Sequence, residues 1–199
     1  MTAGENDTLQ IHTARADRPG NSVLHTRTLM TVAACAVVGA VVVIPLSYVS
    51  ITLAVSPVGI MAVCSLMGLW LLPFMLPGAL TQKPGAIMIA ALIIGIIGTF
   101  TTPSGVSSIL GNLIGGALVE IPLALLFYKH WNWLGYGLAA STFGLFNGLL
   151  YSSMLQIQVT TPELLLMGTI ALLSSLVGVA ITLVVVRSLR RAGIGVRNH

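Results

Sequence analysis

Residues 29–50 read LMTVAACAVVGAVVVIPLSYVS, without one Asp, Glu, Lys, Arg or His. A bilayer core about 30 Å thick is crossed by roughly 20 apolar residues in a helix, and this run has that length and composition. Five more apolar runs follow, over 58–80, 85–100, 106–128, 133–155 and 164–186. None alternates polar and apolar side chains as the strands of a membrane barrel do. The reading is an all-α integral membrane protein, a bundle of about six transmembrane helices. The third run is short, so it just spans the core or sits tilted among its neighbours. The second contains Pro73 and Pro77, which predict a kink near its inner end.

Composition agrees with the runs. The chain has 199 residues, 56% hydrophobic and 7% charged, whereas a soluble domain carries about 25% charged residues. Six spans with short connections use up the length and leave no separate soluble catalytic domain. Residues 1–28 are polar, lack the apolar segment of a cleavable signal peptide, and are expected to form a disordered cytoplasmic tail. Residues 29–187 form the membrane domain and 188–199 a basic cytoplasmic tail. Cys35 and Cys64 lie inside apolar runs without metal-type spacing, so they read as small packing residues.

Orientation follows from counting. The nine basic residues are Arg15, Arg18, Arg27, Lys83, Lys129, Arg187, Arg190, Arg191 and Arg197. With six spans all nine fall on the side of the N-terminus, and the opposite loops near Val55, Thr101 and Thr160 contain none. The positive-inside rule then puts both termini in the cytoplasm. Trp131 and Trp133, beside Lys129 and His130, read as part of an interfacial aromatic belt.

Several chemistries drop out. No GxxxxGK[ST] loop is present for ATP, and there is no HExxH or GxSxG. The four histidines, His12, His25, His130 and His199, lie outside the spans. No catalytic residue, metal site or cofactor is expected. One ionisable residue does lie within a span. Glu120 sits roughly 21 Å below the outer end of the fourth helix at 1.5 Å per residue. An acid near the helix centre costs about 2.5–3.5 kcal/mol on insertion scales, so it needs a partner or a role. Asn112, Gly116 and Glu120 recur at four-residue spacing and share a face. Asn147 and Tyr151 do the same on the fifth helix, beside Gly144 and Gly148. An amide is both donor and acceptor, and a tyrosine adds a ring face. Asn112, Asn147 and Tyr151 are therefore candidates to line an outward-facing cavity for a small, flat, polar heterocycle. Glu120 and Trp70 are further candidates, and helix–helix packing is the competing role for each of the five. The pair Ala36 and Ala40 has the small-residue spacing that brings helices close in lipid. It serves either the bundle or a partner subunit.

The stretches GLWLLPFMLPGAL (68–80), QKPGAIMIAA (82–91) and GNLIGGALVEIPLALLFYKHW (111–131) resemble the S components of energy-coupling factor (ECF) transporters, closest to the thiamine and hydroxymethylpyrimidine branch. Lys83, Pro84 and Gly85 match that family's basic-Pro-Gly turn. Gly111, Gly115, Glu120, Phe127, Tyr128, Lys129 and Trp131 match its later glycine-rich helix. One departure stands: the helix after the turn often carries acids in relatives, and here it reads AALIIGIIG, with Ala91 and no acid. The resemblance implies a six-helix, non-enzymatic substrate-capturing subunit in a prokaryotic plasma membrane. It would take up a small vitamin, in the company of a transmembrane T component and two cytoplasmic ATPases. It also implies that Ala36 and Ala40 dock the T component. A structural subunit without ligand and an autonomous small permease are the alternatives.

Overall fold

The computed structural model describes residues 23–154 and 160–193, with residues 151–154 described by backbone alone. Seven helices run through the described residues: α1 (Thr26–Leu53), α2 (Pro57–Ser65), α3 (Met67–Thr81), α4 (Ala86–Thr101), α5 (Ser107–Leu125), α6 (Trp133–Met154) and α7 (Thr161–Arg191). α2 and α3 together make one span, Pro57–Thr81. That span, α1, α5 and α7 are each long and apolar enough to cross a membrane, and α4 is the short one. The expected helical bundle is therefore the fold. Residues 1–22 and 194–199, which include most of the two expected tails, lie outside the described residues.

The expected kink is displaced. α3 runs unbroken through Pro73 and Pro77, and the span breaks instead at Leu66, between α2 and α3. The cause is tertiary. The Ser174 hydroxyl of α7 accepts from the Gly68 amide at 2.9 Å and donates to the Ser65 carbonyl at 2.6 Å. One side chain thus satisfies two backbone groups at the break, which would otherwise be costly to leave unpaired in the bilayer. Gly68 and Gly178 bring the two helices together there. A Cβ added to Gly178 would lie 2.6 Å from the Gly68 Cα, so no larger residue fits.

The other seams also close on small residues. Gly39 of α1 faces Pro73, where an added Cβ would come within 2.9 Å. Gly95 of α4 meets the Ile109 Cα at 2.8 Å by the same measure, and Gly116 of α5 meets Ala91 at 2.6 Å. Between the seams lies one buried cluster that includes Leu71, Phe74, Met75, Ile87, Ile94 and Leu123. Outside it, α1 exposes Val37, Val38 and Val41, and α7 exposes Leu173 and Val177. Apolar side chains on that scale are suited to lipid, not to water.

The two ends of the bundle differ. At one end Arg190 donates to the Ala79 carbonyl at 2.7 Å, and Trp131 stacks on Tyr128 and meets Tyr136 at a tilt, ring centroids 6.0 and 6.2 Å away. An added Cβ at Gly85 would touch Val23 at 3.7 Å. The start of α1, the α3–α4 turn, the α5–α6 turn and the end of α7 therefore meet there. All the basic residues described, Arg27, Lys83, Lys129, Arg187, Arg190 and Arg191, belong to those segments. At the other end the Tyr48 hydroxyl of α1 donates to the Thr101 carbonyl of α4 at 3.3 Å.

Candidate functional site

Glu120 is buried at the basic end, and its carboxylate is fully engaged. The Gly85 amide donates to Oε1, the Met88 amide to Oε2 at 3.0 Å, and the Tyr128 hydroxyl to Oε1 at 3.0 Å. Gly85 is the N-cap of α4 and has no side-chain cap of its own. Glu120 supplies the cap from the neighbouring helix, where the amide dipoles favour negative charge. Gly85 has a φ of 82°, a conformation that disfavours any side chain. Tyr128 reaches the carboxylate from a turn in which Phe127 and Tyr128 both have positive φ, 51° and 53°. Such residues cost about 1–3 kcal/mol each, and the bond to Glu120 helps hold the turn. Burial chiefly, with the Glu120 carboxylate next, pushes the Tyr128 hydroxyl up to about 12. The basic-Pro-Gly turn and the glycine-rich helix, far apart in sequence, are thus one latch.

Farther out, Phe74 of α3 packs against Phe143 of α6, centroids 6.0 Å apart. Gly115 of α5 leaves space for them, since an added Cβ would lie 3.3 Å from Phe74 and 3.6 Å from Phe143. One turn outward from this aromatic pair are Trp70 on α3, Asn112 on α5 and Asn147 on α6. α3 and α5 run towards the basic end and α6 runs away from it, so positions before Phe74 and Gly115, and after Phe143, share one level. At that level the Trp70 ring nitrogen donates to the Ser50 hydroxyl at 3.3 Å. The Asn147 amide donates to the Phe143 carbonyl at 2.9 Å. The Asn112 amide donates to the Ser108 carbonyl and hydroxyl at 2.8 and 3.1 Å. Asn112 is 7% exposed, and its carbonyl oxygen has no hydrogen-bond partner among the described residues. A buried acceptor left open costs about 1–3 kcal/mol.

The expected set is therefore divided by depth. Trp70, Asn112 and Asn147 come to one level, although each bonds to a different neighbour. Glu120 lies two turns farther in than Asn112, behind the aromatic pair. The Tyr151 side chain lies outside the described residues. Ser50, Phe74 and Phe143 were not singled out in the sequence, where an aromatic or serine in an apolar run looks like any core residue. Ala36 and Ala40 turn inward, 0% and 3% exposed, which corrects their reading as an outward docking surface. They lie beside Gly39 on the face of α1 that packs against α3 and α4, and small-residue spacing marks close packing whichever neighbour supplies it. Ala91 is equally informative. It is fully buried against Gly116, so an acid at this position would have no room.

A family model described as ABC-type cobalt transport system, permease component, matches residues 27–146, more than half of the chain. Among curated proteins, none matches in sequence. A solved structure described as the crystal structure of an S-component of ECF transporter superposes with a TM-score of 0.74 at 20% identity, covering 84% of this chain and 86% of that one. At that identity the likeness establishes the fold. The chain belongs to the ABC-type cobalt transport system permease-component family, and it has the fold of an ECF S component.

Proposed function

We propose that this chain is the substrate-capturing S component of an ECF-type importer. It works with a transmembrane T component and two cytoplasmic ATPases that hydrolyse the ATP. Its basic end faces the cytoplasm, as the positive-inside rule requires, and substrate enters from the opposite side. The substrate is a small, flat, polar heterocycle such as thiamine or hydroxymethylpyrimidine, bound at the level of Trp70, Asn112 and Asn147, with Tyr151 one turn farther out. Glu120 serves from beneath by holding the α4–α5 pair in shape.

The observation that carries this reading is the open carbonyl of Asn112, buried one turn above the Phe74–Phe143 pair. An aromatic floor with an unspent acceptor above it suits a ring that bears an N–H donor. Cobalt, named in the family description, is the rival cargo. Among the described residues no three His, Cys, Asp or Glu side chains gather to hold a metal ion, and transition metals favour such ligands.

Native mass spectrometry of the purified chain, followed by titration with thiamine, hydroxymethylpyrimidine and Co(II), tests the reading. Saturable binding of a heterocycle is the expected result. Binding of Co(II) alone overturns the substrate class. Absence of any ligand favours an assembly subunit, and uptake that persists without ATPase partners favours an autonomous permease.

A further inference from the structure

A groove of about 790 Å³ opens at the basic end between α1, α3 and α7. Its walls include Met30, Ala34 and Val38 of α1, Leu76 and Leu80 of α3, and Leu189 of α7. Met30, Ala34 and Val38 recur at four-residue spacing, so they form a strip about 12 Å long down one face of α1. All three are exposed. The groove thus runs along the lipid-facing side of the bundle from the basic end towards its middle.

Its mouth has a different chemistry. His25, Thr26 and Arg27 line it, and no acidic residue among the described residues is in the lining. They also open α1, whose N-cap His25 makes no side-chain capping bond and whose first turn holds no acid. The amides of that turn, the helix dipole and the Arg27 guanidinium all favour an anion at this point. The Glu120 latch shows the contrast: α4 starts on a carboxylate from its own chain, and no carboxylate among the described residues caps α1.

We infer that this groove is a binding site for an anionic phospholipid, with an acyl chain along Met30, Ala34 and Val38 and the phosphate at Thr26 and Arg27. The match is one of charge and polarity at the right depths. An apolar trough lies at hydrocarbon level, and a cationic, donor-rich mouth lies where the headgroups are. An inward-facing basic end also places the mouth in the leaflet where anionic lipids attract Lys and Arg. A partner helix seated in the trough would leave the mouth without a counter-charge unless it brought an acid there.

The full chain in nanodiscs of equal phosphatidylglycerol and phosphatidylcholine, extracted into mild detergent and analysed by native mass spectrometry, tests this. Retained phosphatidylglycerol should exceed phosphatidylcholine at least about threefold, about 0.65 kcal/mol at 1.4 kcal/mol per tenfold. Arg27→Gln should retain lipid but lose the preference. Ala34→Trp, which fills the trough from an exposed position, should lose retention of both lipids. Val38→Trp repeats that test if Ala34→Trp lowers the folded yield. No lipid retained by the unmodified chain, equal retention of the two lipids, or unchanged retention after both tryptophan substitutions would each overturn the site. Loss of T-component copurification in Ala34→Trp, with no lipid retained by the unmodified chain, would assign the groove to that partner instead.

Discussion

The Glu120 latch at the basic end and the Asn112 level in the other half of this bundle treat their buried polar groups in opposite ways. In the latch three donors converge on the Glu120 carboxylate, so both of its oxygens are engaged. In the other half the Asn112 carbonyl has no partner among the described residues, and the Trp70–Ser50 bond is long at 3.3 Å. A saturated network holds a fixed geometry, whereas an acceptor left open at the level above the Phe74–Phe143 pair is what the proposed function uses for the substrate. The difference separates a saturated carboxylate from an open amide within a chain that is apolar almost throughout, and the proposed function assigns the substrate to the open one.

The largest effect should come from neither end but from the crossing that supports both. Gly178→Leu would drive a side chain into the Gly68 backbone and should lose the folded protein altogether. A normal yield of folded chain by size-exclusion chromatography would contradict the crossing. Next, Glu120→Leu should destabilise the fold by about 3 kcal/mol, the scale of losing charge-assisted bonds to buried donors. Thermal unfolding should show this, with Glu120→Gln intermediate. A Glu120→Leu variant of unchanged stability would remove the distinction between the two ends. Ser174→Ala leaves the Ser65 carbonyl and the Gly68 amide without their bridge and should cost about 1–3 kcal/mol. In the outer half, Asn147→Leu should leave stability within about 0.5 kcal/mol and weaken substrate binding about tenfold, close to 1.4 kcal/mol.

The smallest effect concerns pH. The Tyr128 hydroxyl is raised from 10.0 to about 12 in the folded chain. Its contribution to stability is therefore complete below pH 10 and fades as the pH rises towards 12. Unfolding curves of the unmodified chain and Tyr128→Phe should run parallel below pH 10 and converge above it. A constant difference across that interval would show that Tyr128 does not titrate against Glu120.

The spans and the gathering of basic residues at one end were legible in the sequence because both rest on composition. The short third span was legible for the same reason. What composition does not carry is which neighbour a small or polar residue meets. Ala36 and Ala40 announce close packing but not its direction. The break at Leu66 depends on Ser174, more than one hundred positions away, and outweighs the two prolines that drew attention. Glu120 was visible as an anomaly, yet its main partners are backbone amides, which have no signature in a sequence. Trp70, Asn112 and Asn147 were found by residue type. The aromatic pair beneath them was not, because Phe74 and Phe143 are ordinary residues of apolar helices until the fold brings them together.

The central claim is that the outer level captures the substrate and the latch below it only holds the fold. Calorimetric titration of thiamine and hydroxymethylpyrimidine into the unmodified chain and Asn112→Leu, with unfolding temperatures measured on the same samples, tests it most directly. A loss of binding of about tenfold or more, at an unchanged or higher unfolding temperature, is the predicted result. Undiminished affinity in Asn112→Leu would contradict it.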